Sequence, residues 1–407
     1  MKSLTRAYFA GAAAIGVATA AAAACLTPLF APAAAAGATT FNPMSVTFVS
    51  LRTGWALGSY PCSGAGSCLE LLGTANSGAS WSAKSLPSGL LADADRKVNG
   101  RALLRYASSP ALNVRFANLL DGWIYGNLPG TGGVPEAVLW STHNGGASWS
   151  QLHPFAGSTV GFPLFDLEAM GTTVYMMGVG ANLRVVVESS PVGTDSWHTD
   201  ATPRLSLPAG GAEPSGSFVF QGGRGWLVEG NDRGVTGSAI LQGNGQWVAW
   251  TPPCMSVGDS FTVPAAANAS DLVAVCVMGG FAFPLSKSAP PGATLGSTWL
   301  YLSSNGGGSF HAGPELSKSY SGAQYGGVLA SPSPGVVIAG RSGAAAELVA
   351  SFDNGHDWAD VANGQFFYLG FTSPGQGVGL VTPSYAATRT SMVMTFDGGH
   401  HWSTVSF

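Results

Sequence analysis

Charged residues are scarce in this chain of 407 residues. Asp, Glu, Lys and Arg make up 9% of it, and the formal net charge is −4, whereas about a quarter of a typical soluble domain is charged. Long surface helices need Glu and Lys, so the composition argues against them. The small net charge gives no general reason to expect binding to nucleic acid or to an anionic membrane. After the N-terminus, no stretch reaches the roughly 20 apolar residues of a membrane span.

Glycine and proline are abundant instead, with 58 and 25 residues spread along the chain. Turn-forming residues between short apolar runs are typical of many short strands joined by turns. The composition therefore predicts an all-β protein.

The first 36 residues have the character of an export signal. Lys2 and Arg6 precede a long Ala-rich stretch, and Ala36 ends a small-x-small cleavage site. Alternatively, cleavage after Ala24 would leave Cys25 as a lipidated residue, although the usual Leu three residues before the Cys is missing. The sequence predicts a signal peptide over residues 1–36, a lipoprotein signal ending at residue 24, or an uncleaved anchor, and therefore a secreted or cell-envelope protein.

Four further cysteines follow Cys25. Their spacing favours two disulfides, Cys62–Cys68 and Cys254–Cys276. Four free thiols or a metal site are the alternatives, but a Cys-x5-Cys without a nearby His does not have zinc spacing.

One turn motif recurs through the chain, with the pattern Ser/Thr-x-Asp/Asn-x-Gly-x-x-aromatic. Five copies, called the box turns below, occupy residues 74–81, 142–149, 303–310, 351–358 and 395–402. Their characteristic residues are Asn76, Gly78, Trp81, Asn144, Gly146, Trp149, Asn305, Gly307, Phe310, Asp353, Gly355, Trp358, Asp397, Gly399 and Trp402. Two degenerate copies end at Trp197 and Trp247.

The chemistry of the motif predicts a structural role. An Asx side chain accepts hydrogen bonds from turn amides, Gly tolerates positive φ, and the aromatic is expected to enter the core. Asp353 and Asp397 are therefore interpreted as turn residues and not as catalytic acids. The same interpretation covers the histidines at variable positions of the motif, which are His143, His356, His400 and His401.

The closing aromatics count the repeats. They fall at residues 81, 149, 197, 247, 310, 358 and 402, and a four-stranded propeller blade needs about 40–50 residues. The spacing predicts a seven-bladed β-propeller over residues 44–407, after a short segment at 37–43. Residues 38–43 either add a strand to the last blade or leave that blade complete in itself.

Apolar runs predict where each blade starts. Three starts precede a Gly-Trp pair, at residues 46–49, 114–117 and 218–220, and four looser ones lie at 174–176, 273–275, 336–338 and 377–379.

The repeat resembles that of the Asp-box, or BNR-repeat, propeller superfamily over most of the chain. The phrase from Phe48 to Trp81 is most similar to the photosystem II stability/assembly-factor-like branch found in bacteria. This resemblance implies a binding or assembly function. Sialidases and other glycoside hydrolases share the fold and the box, so the resemblance to them is by fold only.

Strand alternation separates two faces of the predicted disc. The box turns join strands three and four and share a face, the box face, with the turns between strands one and two. The opposite, loop-rich face carries loops 58–70, 84–112 and 281–298 and the four cysteines. Its basic cluster is either a solvated loop or a partner-binding site, and consists of Arg96, Lys97, Arg101 and Arg105.

No residue is assigned to catalysis, to a metal or to a cofactor. The Phe/Tyr-Arg-Ile-Pro motif of sialidases is absent, and neither Arg52 nor Arg115 lies in such a motif. Asp166 with Glu168, or Glu213 with a partner, could serve a hydrolase that uses two carboxylates. Four tyrosines are interpreted from their positions as ordinary aromatic residues of strands: Tyr125, Tyr175, Tyr301 and Tyr368.

The sequence therefore predicts an exported, monomeric and non-catalytic scaffold. Its loop-rich face is expected to bind a protein or a glycan and no nucleic acid, with membrane contact only through an anchor at Cys25. The alternative is a glycoside hydrolase with carboxylates in the central funnel.

Overall fold

The structure is a computed structural model that describes residues 41–407 with internal gaps. The gaps are 62–66, 89, 91–111, 130–134, 156–163, 181–183, 204, 206–214, 232–233, 254–262, 278–290, 293, 295–296, 318–322, 344–345 and 385–386. In the part of the chain that is described, no helix has the length and apolar character needed to cross a membrane.

The strands form seven antiparallel sheets of four, which confirms the predicted seven-bladed β-propeller. Each sheet is one blade, numbered 1 to 7 along the chain. Blades 1 and 2 contain β1 Asn42–Phe48, β2 Gly54–Pro61, β3 Ser67–Thr74, β4 Ser82–Lys84, β5 Leu112–Phe116, β6 Gly122–Pro129, β7 Pro135–Thr142 and β8 Ser150–Leu152. Blades 3 and 4 contain β9 Leu164–Met170, β10 Thr173–Val179, β11 Val185–Pro191, β12 His198–Thr199, β13 Ser215–Gln221, β14 Arg224–Asn231, β15 Gly234–Leu241 and β16 Trp247–Ala249.

Blades 5 to 7 complete the ring. They contain β17 Val263–Ala266, β18 Leu272–Val277, β19 Thr298–Ser303, β20 His311–Ser317, β21 Ala323–Ala330, β22 Val337–Gly343, β23 Glu347–Ser351, β24 Ala359–Asn363, β25 Gln365–Phe371, β26 Gly377–Thr382, β27 Ser391–Thr395 and β28 Ser403–Thr404. The first strands of successive blades contact one another, as in the pairs β1–β5, β9–β13, β17–β21 and β21–β25. First strands therefore surround the axis, and fourth strands lie at the rim.

The Gly-Trp pairs have a packing explanation. A Cβ placed on Gly54 would lie 2.6 Å from the ring of Phe48, the last residue of β1, so only glycine leaves room for that ring. The tryptophans that follow fill the space between blades, and Trp123 and Trp226 are completely buried.

The predictions of the four looser blade starts were wrong by one strand. Residues 174–176, 273–275, 337–338 and 377–379 lie in β10, β18, β22 and β26, which are second strands. Second strands are covered on both faces and flanked by two neighbours, so they are the most apolar runs. The true first strands, such as β9, carry polar residues toward the axis and are weaker sequence signals.

The ring closes without strand exchange. Blade 7 is complete with β25–β28, and the N-terminal strand β1 belongs to blade 1. Side chains join the two blades: the rings of Phe41 and Phe407 are 4.6 Å apart, and Asn42 Oδ1 accepts a hydrogen bond of 2.6 Å from the Thr390 amide.

The closing aromatics are less deeply placed than the sequence predicts. Six of the seven, Trp247 excepted, are only half-buried. Three of them, Trp81, Trp358 and Trp402, donate Nε1 to the glycine carbonyl of their own turn, as Trp402 does to Gly399 at 3.1 Å. These aromatic side chains therefore stabilise the hairpins formed by the third and fourth strands more than they contribute to the core.

Two of the cysteines can be placed. Cys68 and Cys276 are both disulfide-bonded. Cys62 and Cys254, their predicted partners, lie outside the described residues, so the pairing stays a prediction.

Candidate functional site

Five polar side chains from three blades meet at the axis of the propeller. They are Arg115 and Tyr125 of blade 2, Asp166 and Glu168 of blade 3, and Tyr368 of blade 7, and they are called the axial cluster below. Blades 2 and 7 are not neighbours in the ring, so a contact between them is made across the axis. Asp166 and Tyr368 are the third and fourth residues of seven-residue inner strands, which places the cluster about halfway along the channel.

Arg115 links the three blades. Its Nη2 forms an ion pair with Glu168, and its Nη1 donates to the Tyr368 hydroxyl at 3.4 Å. The two charged side chains are 17% and 27% exposed, so water in the channel reaches them. Arg115 Nε is buried and has no hydrogen-bond partner.

Asp166 is held more tightly than Glu168. Its Oδ2 accepts from the Phe218 amide of blade 4 at 2.8 Å. Its Oδ1 accepts from the Leu167 amide at 2.9 Å and from the Tyr125 hydroxyl at 3.3 Å. Asp166 therefore ties β9 to β13, and three donors oppose any movement of its carboxylate.

Burial controls the protonation of the cluster. It raises the pKa of Glu168 to about 7, with a further increase from the charge of Asp166, although the Arg115 guanidinium opposes the shift. Burial also raises the pKa of Asp166, against the Phe218 amide and Arg115. The pKa of Tyr125 is raised well above 10 by burial and by Asp166, so its phenol stays protonated and can donate to Asp166.

The two carboxylates lie on one side of β9. Side chains alternate along a strand, so Asp166 and Glu168 share a side and their Cα atoms are about 6.6 Å apart, while Leu167 between them is fully buried. With both acids ionised the cluster has one excess negative charge. It can hold a polar group that enters the channel, and Glu168 is the acid with more freedom to respond.

The sequence identified part of this site. Asp166 and Glu168 were nominated as a pair, and the structure brings them together with three residues that sequence reasoning missed, Arg115, Tyr125 and Tyr368. An Arg on a first strand was the available signal, since a charged residue there faces the axis. Glu213 and the basic cluster Arg96, Lys97, Arg101 and Arg105 lie outside the described residues.

The box turns use their polar groups internally. In the first of them Thr74 Oγ1 accepts from the Gly78 amide at 3.0 Å, and Asn76 Oδ1 accepts from the Ser80 amide at 2.9 Å. Gly78 has φ of 82°, and the equivalent glycines have φ between 85° and 98°, a region that favours glycine. The same serine or threonine bond recurs at Thr142, Ser303, Ser351 and Thr395.

Each box turn is also bonded to the first turn of its own blade. Ser77 donates its amide to the Arg52 carbonyl at 2.9 Å. Equivalent bonds join Gly145 to Leu120, Gly306 to Ser270, Asn354 to Gly335 and Gly398 to Gly375. The two kinds of turn therefore share a face, and Arg52 lies in a first turn of it.

His143 connects two blades on the box face. Its Nδ1 is 2.8 Å from Asp121 Oδ1 in the first turn of its own blade, and its Nε2 is 3.3 Å from Asp195 Oδ2 of blade 3. Burial opposes protonation, but the two carboxylates raise the pKa of His143. Both ring nitrogens are occupied, so this group serves as a clamp between blades.

One group of Ser, His and Asp side chains lies at the rim of blade 3. Ser189 Oγ is 3.2 Å from His198 Nε2, but the hydroxyl donates to Asp200 Oδ1 at 2.6 Å. Since its proton points to the carboxylate, the serine is not activated by the histidine as a nucleophile must be. Among the described residues there is also no group of three His, Cys, Asp or Glu side chains that could hold a metal ion.

Known structures share this fold at low sequence identity, whereas no family model and no curated protein matches the sequence. YCF48 from Cyanidioschyzon merolae is 14% identical with a TM-score of 0.51, over 88% of this chain and 96% of that one. A PL25 ulvan lyase is 11% identical with a TM-score of 0.51, over 91% and 97%. A lectin from Burkholderia pseudomallei is 12% identical with a TM-score of 0.51, over 90% and 99%. At these identities the likeness supports the β-propeller fold alone.

Proposed function

We propose that the protein is a non-catalytic binding or assembly protein that acts outside the cytoplasm. Its partner is a protein or a glycan held by the loop-rich face and the adjoining channel. Within the Asp-box superfamily, the photosystem II assembly-factor-like branch is the proposed affiliation, on the strength of the Phe48–Trp81 phrase and the box turns.

The main support for the proposal is that both acids of the axial cluster already have partners within the protein. Asp166 is fixed by two backbone amides and a tyrosine, and Glu168 is paired with Arg115. Glycoside hydrolysis needs one carboxyl to give up a proton and the other to attack or to activate water. Both acids have intramolecular partners that would have to be broken first.

Two further features support the cellular location. The positively charged start and Ala-rich stretch of residues 1–36 are typical of an export signal. Disulfides persist in oxidising compartments, which fits the bonded state of Cys68 and Cys276.

A paired screen tests the proposal. The purified chain is applied to a glycan array and to a panel of fluorogenic glycosides, and we expect retention of a ligand without turnover. Turnover that disappears in Glu168→Gln, with the melting temperature unchanged, would contradict the proposal. The same screen with Arg52→Gln, an exposed arginine outside the cluster, controls for the loss of a charged side chain.

A glycoside hydrolase is the second candidate. The pKa of Glu168, about 7 because of burial, suits a general acid at neutral pH, and its 27% exposed side chain faces the channel. If this candidate is right, Glu168→Gln and Asp166→Asn each abolish turnover, whereas Tyr368→Phe shifts the pH profile through Arg115.

A further inference from the structure

The box face has a groove where the repeat is degenerate. In blade 4 the five residues 242–246 join β15 to β16, whereas in blade 5 the seven residues 304–310 of a box turn join β19 to β20. An open groove of about 490 Å³ lies beside the shorter turn, between the two blades.

The groove is lined by one cation, one indole and neutral polar groups. Arg224 is the only charged residue among its described lining residues, and Trp250, Gln242, Thr251 and Asn305 supply the aromatic and polar surface. No carboxylate is among them, so the electrostatic character of the groove is positive.

Arg224 has no partner of opposite charge. None of the ion pairs or side-chain hydrogen bonds among the described residues uses its guanidinium. The group covers Gly306 closely enough that a Cβ built there would overlap Nη1, so the guanidinium is positioned by packing and keeps its donors free.

Trp250, which lines the same groove, is held in place. Its Nε1 donates to the Gly307 carbonyl at 3.0 Å, and a Cβ on Gly307 would lie 2.9 Å from the same nitrogen. The indole is half-buried and already ordered, so binding of a ligand against it costs little conformational entropy of the side chain.

We propose that this groove binds an acidic saccharide, with a uronic acid as the charged unit. A guanidinium matches a carboxylate in a planar, bidentate arrangement, an indole offers a flat apolar surface to the C–H face of a sugar ring, and Gln242 with Thr251 can donate to and accept from hydroxyls. The inference goes beyond the proposed function, because this site lies on the box face and not on the loop-rich face.

The neighbouring groove is a natural control. It lies between blades 5 and 6 on the same face, has a volume of about 290 Å³, and is lined by Asp271, His311 and His356 among others. It has neither an arginine nor a tryptophan among its described lining residues, so it should not bind an acidic sugar.

Binding of trigalacturonate to the full chain, measured by calorimetry, tests the site. The methyl ester of the same trisaccharide removes the charge and keeps the skeleton. We expect Arg224→Gln to weaken trigalacturonate binding about tenfold or more, as for the loss of a hydrogen bond to a charged group. The ester should bind wild type and variant alike, and His311→Ala should leave both affinities unchanged.

Three results would overturn the proposal: no binding of trigalacturonate by the wild type, equal affinity for acid and ester, or equal losses in Arg224→Gln and His311→Ala. Unchanged melting temperatures show that the variants are folded. Hydrolysis at the axial cluster together with Arg224-dependent binding would contradict the proposed function and leave the groove intact.

Discussion

In blades 1, 2, 5, 6 and 7 an intact box turn joins the third and fourth strands, whereas in blades 3 and 4 this turn is degenerate. The two groups of turns differ in the hydrogen bonds that their polar side chains make. In an intact turn the Ser/Thr hydroxyl and the Asx carboxylate or amide bond within the turn. The degenerate turns of blades 3 and 4 do not have this set of bonds, and their closing tryptophans are also placed differently. Trp197 Nε1 is buried without a hydrogen-bond partner, and Trp247 Nε1 donates to Asp200 at 3.0 Å.

The difference shows where binding chemistry can appear. An intact box turn has few polar groups left for a ligand, while the groove beside the shortened turn of blade 4 contains Arg224, which has no ion pair among the described residues. A groove also lies between the intact turns of blades 5 and 6, so what distinguishes the groove beside blade 4 is its lining, with Arg224 and Trp250. The predictions below compare the two groups of blades, beginning with the largest effect.

Trp123 and Trp226 provide a matched pair from an intact and a degenerate blade. Both are completely buried, so replacement by Ala should lower the free energy of unfolding by about 3–5 kcal/mol in either blade. Replacement by Phe separates them, because Trp226 Nε1 donates to Gly306 at 3.1 Å and Trp123 Nε1 has no partner. Trp226→Phe should cost about 1 kcal/mol more than Trp123→Phe in urea unfolding, and equal costs would show that the inter-blade hydrogen bond is unimportant.

Glu229 gives blade 4 a source of pH dependence that blades 1 and 2 lack at the equivalent position. The equivalent residues of blades 1 and 2 are Gly58 and Gly126, whereas Glu229 is fully buried and its carboxyl oxygens have no partner. Burial raises the pKa of Glu229 to about 7.

A raised pKa means that the folded state binds the proton more readily than the unfolded state. Stability should therefore fall as pH rises from about 4.5 to 7, by up to about 3 kcal/mol. Glu229→Gln should remove that decline and be more stable than wild type at pH 8, as measured by urea unfolding across pH. An unchanged pH profile would contradict the assignment; Glu168→Gln reports the separate contribution of the axial cluster.

Asp397 should show a smaller effect with the opposite pH dependence. Hydrogen bonds from the His401 amide, and then from the His401 and Thr395 side chains, lower the pKa of Asp397. Asp397→Ala should cost about 1 kcal/mol at pH 7. The cost should diminish as pH falls below about 4, because the carboxyl of the unfolded chain then begins to protonate while that of the folded protein stays ionised.

Asn244 of the degenerate turn in blade 4 is the matched control for Asp397. Its side chain accepts from the Gln246 amide and donates to the Gln246 side chain, both at 3.1 Å. Both residues are exposed, so Asn244→Ala should cost a few tenths of a kcal/mol, in the range of ordinary surface substitutions. Equal losses for the two variants, measured by thermal unfolding, would show that an intact box turn is no more stable than a degenerate one.

The blade count was predictable because it depends on local chemistry. The requirement for Gly at φ near 85° and for an Asx acceptor lies within eight residues, so each copy can be recognised by itself. The later blade starts were not predictable, since runs such as Val273–Val275 are more apolar than the true first strands. The axial cluster was half predictable: Asp166 and Glu168 are neighbours in sequence, whereas Tyr368 is 253 residues from Arg115.

The sequence by itself determined the all-β class, the number of blades and the face that the box turns occupy, because these follow from turn geometry and strand alternation. Only the tertiary structure decided how the ring closes, which side chains meet at the axis, and where a groove opens between blades. Those features depend on contacts between residues far apart in the chain, and a repeat, being local, carries no information about which of its copies will face each other across the ring.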